Sequence, residues 1–65
     1  MRKLEIHGKT YSELYRFDGG TYFVPDNAVA DEPWIALMDD GTLNQLYNGI
    51  HVKWLADYTV TENEQ

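Results

Sequence analysis

The chain holds no cysteine, one serine, two prolines and only five basic residues among its 65. Each shortage excludes something. Without cysteine there is no disulfide framework and no thiolate metal site. The composition suits a reducing compartment, so the cytoplasm is the expected location. The lone serine, Ser12, has no strained elbow sequence around it, which deprives nucleophilic catalysis of its usual setting. Five Lys and Arg stand against eleven Asp and Glu, for a net charge of −6. Such a field repels phosphate, so direct nucleic-acid binding is not expected. No apolar run approaches the roughly 18 residues of a membrane helix. The opening Met1-Arg2-Lys3-Leu4-Glu5-Ile6 lacks the apolar stretch of a signal peptide, and no membrane partner is expected.

What is present is apolar and aromatic. Hydrophobic residues make up 43% and aromatics 14%, too much for a disordered chain. The length predicts one β domain over 1–60 with a frayed tail over 61–65. A core this small is barely sufficient, which makes stabilisation by self-association a reasonable expectation.

Turn residues organise the chain. Asn48-Gly49 is the strongest hairpin signal, because a type I′ turn needs positive φ at both central positions. It pairs Tyr47 with Ile50, Gln45 with Val52 and Leu43 with Trp54. Asp40-Gly41, read as a second two-residue turn, pairs Met38 with Leu43 and Trp34 with Tyr47. Trp34, Leu43, Tyr47, Ile50, Val52 and Trp54 would then share a buried face. Gly19-Gly20 pairs Phe17 with Tyr22, and Gly8-Lys9 pairs Ile6 with Tyr11. Leu4, Ile6, Tyr11, Tyr15, Phe17, Tyr22 and Val24 would share a second face, with Glu13 as its one misfit. Asp18-Gly19-Gly20-Thr21 echoes Asp39-Asp40-Gly41-Thr42, which reads as one turn used twice. Pro25 to Pro33 is the longest loop, where Asp26 or Asn27 could cap a helical turn. A 3₁₀ turn at Leu55-Ala56-Asp57 and a last short strand at Tyr58-Thr59-Val60 follow. The sum is an all-β fold: a small six-strand barrel or sandwich made of two three-stranded meanders. Its order of elements has a generic likeness to SH3-like barrels, without their ligand-groove motif.

Chemistry is sparse. His7 and His51 are the only histidines, and Asp39-Asp40-Gly41 lacks the alternating ligands of a calcium loop. No metal site is expected. Gly19-Gly20 is not followed by the Lys-Ser/Thr of a phosphate loop, so no cofactor is expected. A chain this short leaves little room for a substrate cleft, and no residue is assigned a catalytic role.

Charge asymmetry is the feature that points to function. Between Phe17 and Val52 there is no Lys or Arg, yet there are six acids. The plain reading is a solvated surface that resists aggregation. The functional reading is an acidic face around an apolar centre. With both tryptophans turned inward, Ile35, Leu37 and Leu46 would point outward, rimmed by Asp31, Glu32, Asp39 and Asp40. That set is the expected partner-binding patch. The expected function is a small acidic, non-catalytic binding protein. It would dock on the basic surface of another protein, in the manner of phage-type inhibitors of host nucleic-acid enzymes, with carboxylates where phosphates would sit. The alternative is a self-associating structural or adaptor β module, and a homo-oligomer belongs to that reading.

Overall fold

The computed structural model describes residues 1–27 and 32–62. Seven strands run β1 (Arg2–Ile6), β2 (Lys9–Phe17), β3 (Gly20–Pro25), β4 (Trp34–Met38), β5 (Leu43–Tyr47), β6 (Ile50–Trp54) and β7 (Thr59–Glu62). They form one antiparallel sheet in the order β6-β5-β4-β3-β2-β1-β7. The all-β expectation holds. The six-strand barrel or sandwich of two facing meanders does not: there is a seventh strand, one continuous sheet, and no closure between β6 and β7. The expected helical turn of the Pro25–Pro33 loop falls on residues outside those described. Thr61 and Glu62, expected to fray, pair with Lys3 and Arg2; residues 63–65 lie outside those described.

The sheet must curl. Six spacings of about 4.8 Å would put the edges of a flat sheet about 29 Å apart. Five Cα steps from Trp54 to Thr59 reach about 18 Å at most. The short β6–β7 link therefore draws the edges together and lays Ala56 and Tyr58 against the inner face. Leu4, Ile6, Tyr11, Phe23, Ile35 and Leu43 are buried there, with Leu37, Trp54, Ala56 and Tyr58 packed against them. The Tyr58 hydroxyl donates to the Gly41 carbonyl at 2.8 Å, fixing the link to the β4–β5 turn.

Turn geometry decides which side chains face inward. Asn48 and Gly49 have φ of 51° and 82°, and the β5–β6 register is the one Asn48-Gly49 predicts, Tyr47 with Ile50 through Leu43 with Trp54. The β4–β5 turn differs. Leu37 pairs with Leu43 and Trp34 with Leu46, so Asp39, Asp40 and Gly41 form a three-residue loop with Gly41 at φ 93°. Loops of this length end in a left-handed residue that only glycine adopts cheaply. The extra residue moves the pairing by one and exchanges the faces of β4. Ile35 and Leu37, expected outside as anchors, therefore turn inward, and Ile35 is 1% exposed. Trp34 turns outward instead. Tyr47, Ile50 and Val52 keep their common face with Leu43 and Trp54, but they extend past the core and stay exposed.

The first two turns also sit earlier than expected. His7-Gly8 closes β1–β2, pairing Ile6 with Lys9, and Asp18-Gly19 closes β2–β3, pairing Phe17 with Gly20. The two echoing Asp-Gly segments thus make turns of different length. In β2 the register shifts between Glu13 and Tyr15. This bulge at Leu14 makes β2 change faces. Tyr11 and Glu13 point inward with Phe23, whereas Tyr15 and Phe17 point outward with Tyr22.

Candidate functional site

The outward turn of Tyr15, Phe17, Tyr22 and Trp34 puts four aromatics on one side of adjacent strands β2, β3 and β4. His51 on β6 completes the group. Tyr22 is its hub. Its ring stacks on Phe17 at 4.2 Å and 22°, meets Tyr15 edge-on at 5.5 Å and 80°, and lies 6.0 Å from Trp34. The His51 ring is edge-on to both Tyr22 and Phe17. The Tyr22 hydroxyl and His51 Nε2 are 3.0 Å apart, a hydrogen bond that ties β3 to β6 across two intervening strands. Tyr15 is 53% exposed and Trp34 38%. Leu46, the cross-strand partner of both Trp34 and His51, extends this surface. Edge-on and offset contacts are the favourable aromatic geometries. They hold the rings in place while leaving faces open to solvent.

Two residues on the same side make this packing feasible. Ala36, opposite Tyr22, is small and fully buried. Gly20, opposite Phe17, has no side chain to lift the ring: a Cβ there would lie 3.0 Å from Phe17 Cζ.

The acids expected to form a rim are engaged within the chain. Asp39 accepts two hydrogen bonds from Arg16, at 3.0 and 3.2 Å. Asp40 accepts from the Thr42 hydroxyl at 2.7 Å and the Thr42 amide at 3.0 Å, holding its own turn and keeping its carboxyl below the usual pKa range. Glu32 pairs with Lys9, beyond the opposite end of β4 from Asp39 and Asp40. Asp31 lies outside the described residues. Of the expected patch, Leu46 alone joins the outer surface, and it is only half-buried there.

Pairing of this kind consumes nearly all the positive charge. Arg2 pairs with Glu13, Lys3 with Asp26, Lys9 with Glu32 and Arg16 with Asp39, and among the described residues only Lys53 has no such pair. Glu13, the misfit of its face, takes the Arg2 backbone amide at 2.8 Å as well as its guanidinium. Arg2 and Arg16 both donate to the buried Thr21 hydroxyl.

Ser12 sits in a cluster that resembles a Ser-Lys nucleophile pair but lacks its logic. Lys3 Nζ donates to Ser12 Oγ at 2.7 Å and to Asp26 at 2.8 Å, and Ser12 Oγ donates to Asp26. An ammonium engaged as a salt-bridge donor has no lone pair with which to take the serine proton. The cluster acts instead on Asp26, whose pKa falls from 3.8 to about 2 because Lys3 and then Ser12 hydrogen-bond to its charged form. A depressed folded-state pKa gives stability that is present above the unfolded value and lost as pH falls through the folded one. Wild-type stability is therefore expected to drop between about pH 4 and pH 2. Asp26→Asn should flatten part of that slope, read as urea midpoints against pH. Glu13 and Asp40 shift in the same direction and retain the remainder.

A cleft of about 510 Å³ opens beside His7, Leu43, Lys53, Trp54 and Tyr58, with His7 and Trp54 ring centroids 6.2 Å apart. It presents no serine and no carboxylate pair. Among the described residues no three His, Asp or Glu side chains gather as a metal site, and no helix is long and apolar enough to cross a membrane.

No protein-family model matches the chain, and no curated protein or solved structure matches it either.

The aromatic surface was missed from sequence because Tyr15, Phe17 and Tyr22 fit an inward alternation just as well. The available signal was the misfit Glu13. A charge in phase with core residues, followed one position later by the out-of-phase Leu14, is what a bulge looks like in sequence.

Proposed function

We propose that the protein is a small, acidic, non-catalytic binding module that docks on a basic surface of another protein. Its contact surface is the outer aromatic face of Tyr15, Phe17, Tyr22, Trp34, Leu46 and His51. The observation that carries this reading is the Tyr22-centred ring cluster, held rigid by its own contacts yet open to solvent. Trp and Tyr dominate the energetics of binding surfaces, because they offer large contact area with few rotatable bonds. Ring faces attract guanidinium and ammonium groups by about 0.5–2 kcal/mol each. The net charge of −6, with four of five bases already paired, adds an overall field that draws cations and repels phosphate. Asp39 and Asp40 contribute to that field rather than to direct contact, and Ile35 and Leu37 support the sheet from behind.

The test uses an oligo-arginine peptide, with oligo-glutamate and a single-stranded oligonucleotide as comparisons, followed by calorimetry and tryptophan fluorescence. Only the arginine peptide should bind, less tightly as salt rises. Trp34→Ala should weaken binding about ten-fold or more while leaving the fold intact, as expected for a central aromatic contact. Oligonucleotide binding in place of peptide binding would identify the rings as a base-stacking platform instead. An arginine peptide that binds Trp34→Ala as well as wild type would remove the aromatic face from the proposal.

A further inference from the structure

β6 is an edge strand. Of the features that keep edges apart it carries a single lysine, Lys53, with no proline, no acid and no register shift against β5. Ile50 and Val52 project from one side of it, 64% and 44% exposed. The other edge, β7, shows threonines, one valine and Glu62.

Charge says what can approach this edge. Two copies of a chain with net charge −6 repel wherever their carboxylates meet. Yet from Gly41 to Ala56 there is no Asp or Glu at all, in a chain with eleven. The β5–β6 hairpin is thus a face that a second copy can meet without opposing acids.

We propose that two copies pair antiparallel through β6 about a two-fold axis at Val52, joining their sheets into one. The register follows from the hairpin. Tyr47 and Ile50 close a two-residue turn and form a hydrogen-bonded pair, so alternation aims the backbone groups of His51 and Lys53 away from β5. With Val52 opposite Val52 of the second copy, His51 falls opposite the second copy's Lys53 and Lys53 opposite its His51. All four outward-facing residues then exchange ladder bonds. Ile50 meets Trp54 of the second copy in one apolar row, and the two Lys53 side chains do not face each other. A shift of two residues in either direction breaks one of these matches.

Residues opposite each other across an antiparallel pair point to the same side. The outer aromatic faces of both copies therefore lie on one side of the joined sheet, and the dimer is bivalent toward a repeated or extended partner surface. The pairing itself stands on the edge strand and the acid-free hairpin, independently of what the aromatic face binds.

Sedimentation equilibrium of the full chain, from micromolar to millimolar concentration, should show mass rising from 7.6 kDa toward twice that value. Val52→Glu sets two carboxylates opposite each other across the axis, and it should weaken dimerisation about ten-fold or more. Lys53→Pro removes an outward amide without touching the β5–β6 ladder, and should act likewise. Hydrogen exchange on the wild type decides without any variant. The His51 and Lys53 amides should slow as concentration rises, while that of Val52, already bonded to β5, stays unchanged. Constant mass at 7.6 kDa, a dimer indifferent to Val52→Glu, or concentration-dependent protection at β7 in place of β6 would each overturn the proposal.

Discussion

Phe23→Ala is expected to leave the chain largely unfolded at room temperature. Phe23 sits in β3, the middle strand of seven, with no exposed surface. Its ring lies between the Ile35 cross-strand contact and the Arg2 guanidinium, 5.7 Å from the ring centre. Truncating a buried phenylalanine costs about 3–5 kcal/mol. A domain of this size rarely has more than about 3–5 kcal/mol in total. Urea denaturation followed by tryptophan fluorescence should show no native baseline. Tyr22→Ala, one position along the same strand but on the outer face, should retain a cooperative transition. Equal losses in the two variants would contradict the assignment of faces in β3.

Gly20→Ala is expected to damage stability and binding together. The residue is not at positive φ, so the constraint is space. An added Cβ would lie 2.6 Å from the Leu37 carbonyl oxygen and 3.0 Å from both Met38 Cα and Phe17 Cζ. Two of those three atoms are backbone, which cannot swing aside. β3 and β4 must separate locally, and overpacking of this kind costs about 1–3 kcal/mol. Displacing Phe17 also disturbs its stack on Tyr22. Urea midpoints and arginine-peptide affinity should therefore fall in parallel. A Gly20→Ala protein with unchanged midpoint and unchanged affinity would show that the strands have slack at this point.

How far the sequence could be read depended on turn length. Asn48-Gly49 specifies a two-residue turn with little ambiguity, and the β5–β6 register followed residue by residue. Asp39-Asp40-Gly41 fits either a two-residue or a three-residue loop. The difference of one residue decides whether Trp34 or Ile35 is buried. The turns at His7-Gly8 and Asp18-Gly19 sit one residue earlier than expected, which moves each cross-strand partner by two and preserves faces. Leu4, Ile6 and Tyr11 were accordingly placed correctly in the core. The bulge leaves only the Glu13–Leu14 irregularity in the sequence and is fixed by the β2–β3 pairing, so the inward alternation expected for Tyr15, Phe17 and Tyr22 gives way to an outward one. The acids are readable as composition, but their engagement is not. Arg16 and Asp39 are 23 residues apart in sequence, and only the β2–β3–β4 meander brings them together.

The bulge at Leu14 divides β2 into two lengths that answer to different demands. Up to Glu13, side chains on the Tyr11 phase serve the interior; from Tyr15 onward the same alternation serves the exterior. Tolerance to substitution along β2 should therefore change character at one position. Changes at Tyr11 should be scored by whether protein accumulates in the cell, and changes at Tyr15 by whether accumulated protein still binds the arginine peptide. Deleting Leu14 would remove the extra residue and run Glu13 opposite Phe23 straight into Tyr15 opposite Tyr22, so every side chain down to Phe17 would keep its partner and its face: the bulge is a spacer between two patterns that alternation alone can join.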